Sequence, residues 1–263
     1  MSSQTDLFCE VPDSGQPLAK TGKQAKKNAH DWHNFPHHRH ADGKGWVITV
    51  PDGELYYDPN FLTERIADRC LEVFLGNTGN MTPVTPWADL TEDQWKAIRF
   101  ELIPWQRDVI RMYGKEIPLP RLSSWHGDPE RAYTYSGIHL KPQPWNIPLD
   151  WLRDQLECLC GIRFNSVLMN WYRDGHDHIS WHADDETELG KNPVIASVNL
   201  GATRRFLLRR ADDQALKIEF PLSHGSVLIM SGALQHHWQH SVPKQAAVND
   251  SRINLTFRVI GEN

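Results

Sequence analysis

No apolar run in the 263-residue chain approaches the roughly 20 residues needed to cross a bilayer, and residues 1–13 lack the charged start and apolar stretch of a secretory leader. A place inside the cell, in cytoplasm or nucleus, is therefore expected. The four cysteines, Cys9, Cys70, Cys158 and Cys160, form no C-x-x-C pair and no zinc-knuckle spacing. That excludes a disulfide scaffold and predicts reduced thiols. Positive charge is not in excess: the net charge is -5, so no global field draws the molecule to phosphate and any nucleic-acid contact must come from local patches. Internal repeats are absent as well. What is present, 40% hydrophobic and 10% aromatic residues, is enough for one domain with a full core.

Residues 1–45 are polar, contain Lys20, Lys23, Lys26 and Lys27, and show neither helical nor strand periodicity. They predict a disordered arm ahead of a single domain spanning 46–263. Five of the 14 histidines (His30, His33, His37, His38 and His40) fall in this arm. Such a tract can bind metal, but nothing orders its ligands, and a solvated tail is the simpler reading. Within the domain, residues 46–147 are read as helices and connecting loops, and 148–263 as the strand-rich core. Asp58 as N-cap and Pro59 at the first helical position predict a helix with Leu62, Ile66, Cys70 and Phe74 on one stripe. Thr91 and Gln94 predict a capping box for a second helix, after a Gly/Pro/Asn/Thr-rich loop over 76–89. A third helix is expected over 149–160, between Pro148 and Gly161. From Phe164 onward the period shortens, predicting strands at 165–172, 194–200, 204–209, 216–220, 226–230 and 253–260. Helices first and many short strands later describe an α+β domain in which helices buttress a β-sandwich of the jelly-roll kind.

Three local patterns carry chemistry. His182 and Asp184 are two apart, so on extended chain both side chains leave the same face and can grip one metal ion. A second histidine would complete the two-histidine, one-carboxylate set of oxygen-activating non-haem iron enzymes, and His224, His236, His237 and His240 are all candidates. In the C-terminal run, Ile253, Leu255, Phe257 and Val259 alternate with Arg252, Asn254, Thr256 and Arg258. If the polar face looked into the sandwich, its guanidinium groups would need an anion, and a small dicarboxylate fits the arginine fork. An exposed strand with solvated arginines is the alternative. Asn170 and Tyr172, again two apart, sit among apolar Val167, Met169 and Trp171 and could join such an anion site.

Together these segments resemble a known family. Asn170-Trp171-Tyr172-Arg173-Asp174-Gly175, His182-x-Asp184-Asp185-Glu186, Ile195-Ala196-Ser197-Val198-Asn199-Leu200-Gly201-Ala202-Thr203-Arg204, Trp238-Gln239-His240-Ser241-Val242-Pro243 and Arg252-x-Asn254-Leu255-Thr256-Phe257-Arg258 are similar, in order and spacing, to the AlkB family of Fe(II)- and 2-oxoglutarate-dependent dioxygenases. Upstream, Pro120-Arg121-Leu122, Trp125-His126-Gly127-Asp128 and Tyr133-Thr134-Tyr135-Ser136-Gly137 resemble the nucleotide lid of its DNA- and RNA-repair branch. The resemblance implies a double-stranded β-helix core, with Fe(II) on His182, Asp184 and His240. It implies that Arg252, Asn254 and Tyr172 hold the distal carboxylate of 2-oxoglutarate, supported by Asn170, with Arg258 near the keto-acid end and O2 as oxidant. Tyr135, Asp185, Glu186, Trp125 and Arg121 would contact the substrate. The implied activity is oxidative demethylation of N1-methyladenine and N3-methylcytosine in alkylated single-stranded DNA or RNA, with duplex DNA a further partner, by a monomer. An AlkB-like oxygenase acting on protein or a small molecule, and a non-catalytic reader of modified bases, are the competing readings.

Overall fold

A computed structural model describes residues 30–76, 87–96, 102–112, 115–129, 133–135, 138–140 and 142–261. Strands β1 (His37–Arg39), β2 (Trp46–Val50) and β3 (Gly53–Asp58) come first, then helices α1 (Glu64–Leu75) and α2 (Glu92–Lys96). β4 (Val109–Met112) and β5 (Lys115–Pro118) form a hairpin, β6 (Leu122–Gly127) follows, and β7 (Tyr133–Tyr135) and β8 (Ile138–Leu140) form a second hairpin. Helix α3 (Ile147–Cys160) leads into β9 (Ser166–Tyr172), β10 (Ile179–His182), β11 (Ile195–Gly201) and β12 (Arg204–Arg210). The chain closes with β13 (Lys217–Leu222), β14 (Val227–Gly232), the one-turn α4 (Leu234–His237), β15 (Trp238–Val242) and β16 (Arg252–Arg258).

Two sheets face each other. The major sheet runs β1-β2-β3-β14-β11-β16-β9-β6 and the minor one β10-β15-β12-β13, with antiparallel pairing throughout. Strand alternation sorts side chains between two cores. Ile253, Leu255 and Phe257 of β16, with Val167 and Met169 of β9, pack outward against Ile66, Cys70 and Phe74 of α1 and Leu149, Leu152 and Leu156 of α3. Inside the sandwich, Ile195, Leu228 and Met230 meet Phe206, Leu208, Phe220 and Val242 of the minor sheet. This is the jelly-roll core buttressed by helices that the sequence predicts.

Helix α3 shows how local sequence sets its ends. The Asn146 side chain accepts from Leu149 N at 3.0 Å, Pro148 occupies the first turn, and Gly161 takes φ 68 at the C-cap. Asn146→Ala is expected to lower stability by about 1 kcal/mol, read as an earlier urea midpoint at unchanged slope. The Thr91 and Gln94 capping box also forms, with Thr91 N donating to Gln94 Oε1 at 2.9 Å and Gln94 N to Thr91 Oγ1 at 3.3 Å.

Three expectations need correction. Helix α1 begins at Glu64, not after Asp58: Asp58 ends β3, and its Oδ1 accepts from Asn60 N at 2.8 Å, so the Asp-Pro signal serves a turn. Ordered structure starts before residue 46. Trp32, 7% exposed, packs on Tyr57 and Phe220, and β1 adds to the edge of β2. Burial of one indole and a strand's worth of backbone pairing hold a segment whose composition reads as solvated. Residues 1–29 of the expected arm, and most of the 76–89 loop, lie outside the described residues. Finally, β1 to β8, β10 and β15 were not among the expected strands, so most of the elements described within 46–147 are strands and not helices. No helix among the described residues is long and apolar enough to cross a membrane.

Candidate active site

Neighbouring strands of the minor sheet bring the two histidines together. The β10–β15 register sets His182 opposite His240, and their ring centroids are 4.2 Å apart. Asp184 follows two residues after His182, its backbone N–H held by Gln235 Oε1 of α4 at 3.0 Å. His182 Nε2 lies 3.9 Å from Asp184 Oδ1, and His240 Nε2 lies 3.9 Å from Asp184 Oδ2. The His182 Nδ1–H donates to Ser180 O at 2.8 Å, which leaves Nε2 as the lone-pair nitrogen facing the carboxylate. Phe206 stacks on His240 at 5.4 Å.

Protonation states suit a cation. Burial, helped by the neighbouring His182, pushes His240 down to about 3, so its imidazole is neutral at physiological pH. Burial also lowers His182. For Asp184, burial pushes the carboxyl up, but Arg258, His240 and His182 together outweigh it and hold the group below the usual carboxylate range. Arg258 Nη2 donates to Asp184 Oδ2 at 2.8 Å, while the buried Oδ1 accepts no hydrogen bond among the described residues. Two neutral imidazoles and one ionised carboxylate oxygen with an open lone pair form a donor set that fits Fe(II). Among the described residues no other histidine, cysteine, aspartate and glutamate cluster forms such a set. His224 is elsewhere: it accepts from Gly201 N at 2.8 Å and faces Asp68 at 3.2 Å, tying β11 to α1. His236 and His237 are exposed on α4.

Across the cavity stands the polar face of β16. Its register with β9 and β11 aligns Asn170, Asn254 and Asn199 in one row, and Tyr172 with Arg252 in the next. Asn254 Nδ2 donates to Ser197 Oγ at 2.7 Å and to Asn199 Oδ1 at 3.2 Å, and Thr256 Oγ1 donates to Asn254 Oδ1 at 3.0 Å. Arg252 is 1% exposed. Its Nη2 donates to Asn199 Oδ1 at 2.5 Å and the guanidinium also engages the Tyr172 side chain, while Nε and Nη1 make no well-formed hydrogen bond among the described residues. Burial pulls this guanidinium down to about 10, which still leaves it charged at neutral pH. A buried cation with two open donors, 5.0 Å from the Tyr172 ring centroid, fits a carboxylate ligand. Asn170, Tyr172, Asn254 and Arg258 line the same cavity as His182, Asp184 and His240; Arg252, beside Tyr172, is not among the lining residues.

The residues expected at the substrate are more scattered. Arg121 lines the cavity and donates from Nε to Asn170 Oδ1 at 2.7 Å. Asp185 is exposed just beyond the ligand pair, and Glu186 precedes the turn Thr187–Leu189. Tyr135 lies on β7, with its side chain outside the described part. Trp125 corrects the sequence reading: it is 3% exposed and packed with Leu168, Leu189 and Ile260, so its ring offers no face to a base. Asn199, Ser197 and Gln235 were missed as parts of the site, and Thr256, placed on the polar face of the last strand, was given no role. For Ser197 and Asn199 the signal was available, since they alternate with Ala196, Val198 and Leu200 as the polar residues of β16 do.

A fold of this kind, with a two-histidine, one-carboxylate cluster facing an arginine-bearing strand, defines a class, and comparison with known proteins agrees. The family model of the 2OG-Fe(II) oxygenase superfamily matches residues 87–258. Human "Alpha-ketoglutarate-dependent dioxygenase alkB homolog 3" is 35% identical over 95% of this chain and 92% of its own length. The rat protein of that name is 39% identical over 74% and 70%. Human "DNA oxidative demethylase ALKBH2" is 41% identical over 57% of this chain and 60% of its own. A solved structure of OsALKBH1 superposes with TM-score 0.49 at 18% identity, covering 81% of this chain and 99% of that one. The chain belongs to the 2OG-Fe(II) oxygenase superfamily, within its AlkB family, and is a dioxygenase using Fe(II), 2-oxoglutarate and O2.

Proposed function

We propose that this chain is an oxidative demethylase of alkylated nucleic-acid bases, acting on N1-methyladenine and N3-methylcytosine in single-stranded DNA or RNA. The observation that carries this reading is the cavity itself, with His182, Asp184 and His240 on one wall and the asparagine, tyrosine and arginine side chains of β9 and β16 on the other. The name of one relative, DNA oxidative demethylase, supports the substrate class.

In this reading His182, Asp184 and His240 hold Fe(II), and Arg252, Asn254, Tyr172 and Asn170 hold 2-oxoglutarate with Arg258 near its keto-acid end. Bound together, iron, 2-oxoglutarate and dioxygen supply the oxidising power that turns an N-methyl group into N-hydroxymethyl. The hydroxymethyl carbon then leaves as formaldehyde and the base regains its nitrogen lone pair. The chain's own work is orientation and exclusion. Ser180 O fixes the His182 tautomer, Arg258 fixes the Asp184 carboxylate, and Leu168, Ile179, Phe206 and Val242 keep the cavity wall apolar. Asp185, Glu186 and Arg121 are assigned to the base at the mouth. Both lesions carry positive charge, which the acidic pair Asp185 and Glu186 favours.

Single strands are preferred because, among the described residues, few basic side chains remain for a second strand; Lys244 is exposed and Lys141 lies outside the described residues. Arg173 is paired with Asp177, and Arg210 with Asp52 and Asp212. Arg121 and Arg204 are buried, and Arg209 donates to Gln239 and Gln214. Extrusion of a base from a duplex also costs a few kcal/mol that a single strand does not require. The protein is proposed to act as a monomer inside the cell.

Succinate release measured with methylated and unmethylated oligonucleotides tests the proposal. Release that rises only with the methylated strand supports it; release driven instead by a peptide or metabolite moves the protein to another substrate class. Binding of the methylated strand without any turnover would make it a reader. Tyr135 and the His182 ring are assigned to stack on the base, so Tyr135→Ala is expected to weaken oligonucleotide binding by about 1–3 kcal/mol in a fluorescence-anisotropy titration, while substrate-independent consumption of 2-oxoglutarate persists.

A further inference from the structure

Both histidine strands end beside one buried arginine. Arg204, at the start of β12, is 1% exposed, although it is neither a cavity-lining residue nor part of an ion pair among the described contacts. Its guanidinium is satisfied almost entirely by backbone. Nη1 donates to Asp174 O at 2.9 Å, Nη2 to Asp177 O at 2.9 Å and to Pro243 O at 2.7 Å, and Nε to Gln245 Oε1 at 3.3 Å. Asp177 lies two residues before β10 and Pro243 one residue after β15. These carbonyls therefore flank the Ile179–Val242 pair that ends the β10–β15 ladder, next to the His182–His240 pair.

That ladder is weak by itself. Its register slips between Ile179 and His182, so regular pairing fixes little of the distance between the two imidazoles. The loops at its end are drawn together elsewhere: Gly175 N donates to Val248 O at 2.7 Å and Gln245 N to Gly175 O at 2.8 Å. A Cβ at Gly175 would come within 1.8 Å of Gln245 O, so the approach admits only glycine. Arg204 also places its Cζ 5.7 Å from the Tyr172 ring centroid, and the Arg252 Cζ lies 5.0 Å from the same centroid.

We propose that Arg204 is a positioning residue, a guanidinium rung that closes the β10–β15 ladder and thereby sets the spacing of His182 and His240. A planar group with five N–H donors in fixed directions can span three carbonyls at once, which an ammonium on a flexible stem cannot do in the same geometry. The inference rests on the assignment of His182, Asp184 and His240 as metal ligands.

Anaerobic titration of the full chain with Co(II), followed by its visible absorption bands, tests it without turnover. Arg204→Met is expected to weaken Co(II) binding by about 10–100-fold, the range for loss of a group that orients a metal ligand, and to shift the bands. Arg204→Lys should recover part of the loss, and Gln245→Ala, which removes one of the four acceptors, should weaken binding less than Arg204→Met. Far-UV circular dichroism identifies the folded variants; should Arg204→Met not fold, the other two carry the test. Wild-type affinity and wild-type bands in every folded variant overturn the proposal. His182→Ala is titrated alongside. If it loses Co(II) while the Arg204 variants do not, only the role of Arg204 falls; if it binds like wild type, the ligand assignment and the proposal fall together.

Discussion

Replacing His182 or His240 by alanine, or Asp184 by asparagine, is expected to abolish turnover and to reduce Fe(II) binding to the level of adventitious sites. The reason is geometric. The three ligand atoms lie within 4.8 Å of one another, and with one removed the remaining two hold a divalent ion poorly. Asparagine is the better replacement for Asp184, because its amide oxygen can still accept from Arg258, which meets Asp184 at 2.8 Å, whereas alanine leaves that buried guanidinium without any acceptor there and would add a larger stability effect to the loss of metal. His237→Ala is the control: exposed on α4, it should keep iron and activity. Equilibrium dialysis followed by metal analysis reads the result. An essential His237 with a dispensable His240 would show that the wrong histidine had been assigned.

Loss of Arg252 should be felt almost wholly at the cosubstrate. A buried carboxylate deprived of its guanidinium partner loses about 3–5 kcal/mol, two orders of magnitude or more in affinity. The Arg252→Met variant therefore should need far more 2-oxoglutarate, if it responds at all. The same substitution has an opposite effect on the protein without cosubstrate. Arg252 is buried with Nε and Nη1 open, so replacing it by an apolar side chain of similar length relieves a desolvated cation. Thermal unfolding without 2-oxoglutarate should occur at or above the wild-type temperature, and the stabilisation that 2-oxoglutarate gives the wild type should vanish. Undiminished cosubstrate affinity would mean that the β16 arginines serve the fold alone.

How far the sequence could be read depended on how much of each strand was apolar. In β16 a strict alternation separated Ile253, Leu255 and Phe257 from Arg252, Asn254, Thr256 and Arg258, and the structure turns those two sets to the helix layer and to the interior. Helix α3 was legible to within two residues because Pro148 and Gly161 act through their own backbone. The strands carrying the histidines were not. Ile179-Ser180-Trp181-His182 is short and irregular in register, and the inward residues of β15 are Trp238, His240 and Val242, so a histidine breaks the apolar row. A ligand strand hides because its buried side is polar. Trp125 was assigned to the substrate from its lid motif, whereas β6 is buried at five of its six positions and the ring packs with Leu168, Leu189 and Ile260. Nothing around Arg204 in the sequence marks it as buried, and only the meeting of two distant loops gives it carbonyls to hold.

Mass spectrometry of a single-stranded oligonucleotide bearing one N1-methyladenine, incubated with the protein, Fe(II), 2-oxoglutarate and O2, tests the central claim most directly. The account predicts loss of the methyl group with formaldehyde and succinate formed in equal amounts, dependent on all three additions and absent in His240→Ala. An oligonucleotide that keeps its methyl group, with N3-methylcytosine equally untouched and succinate produced at the same rate whether or not the strand is present, would contradict it.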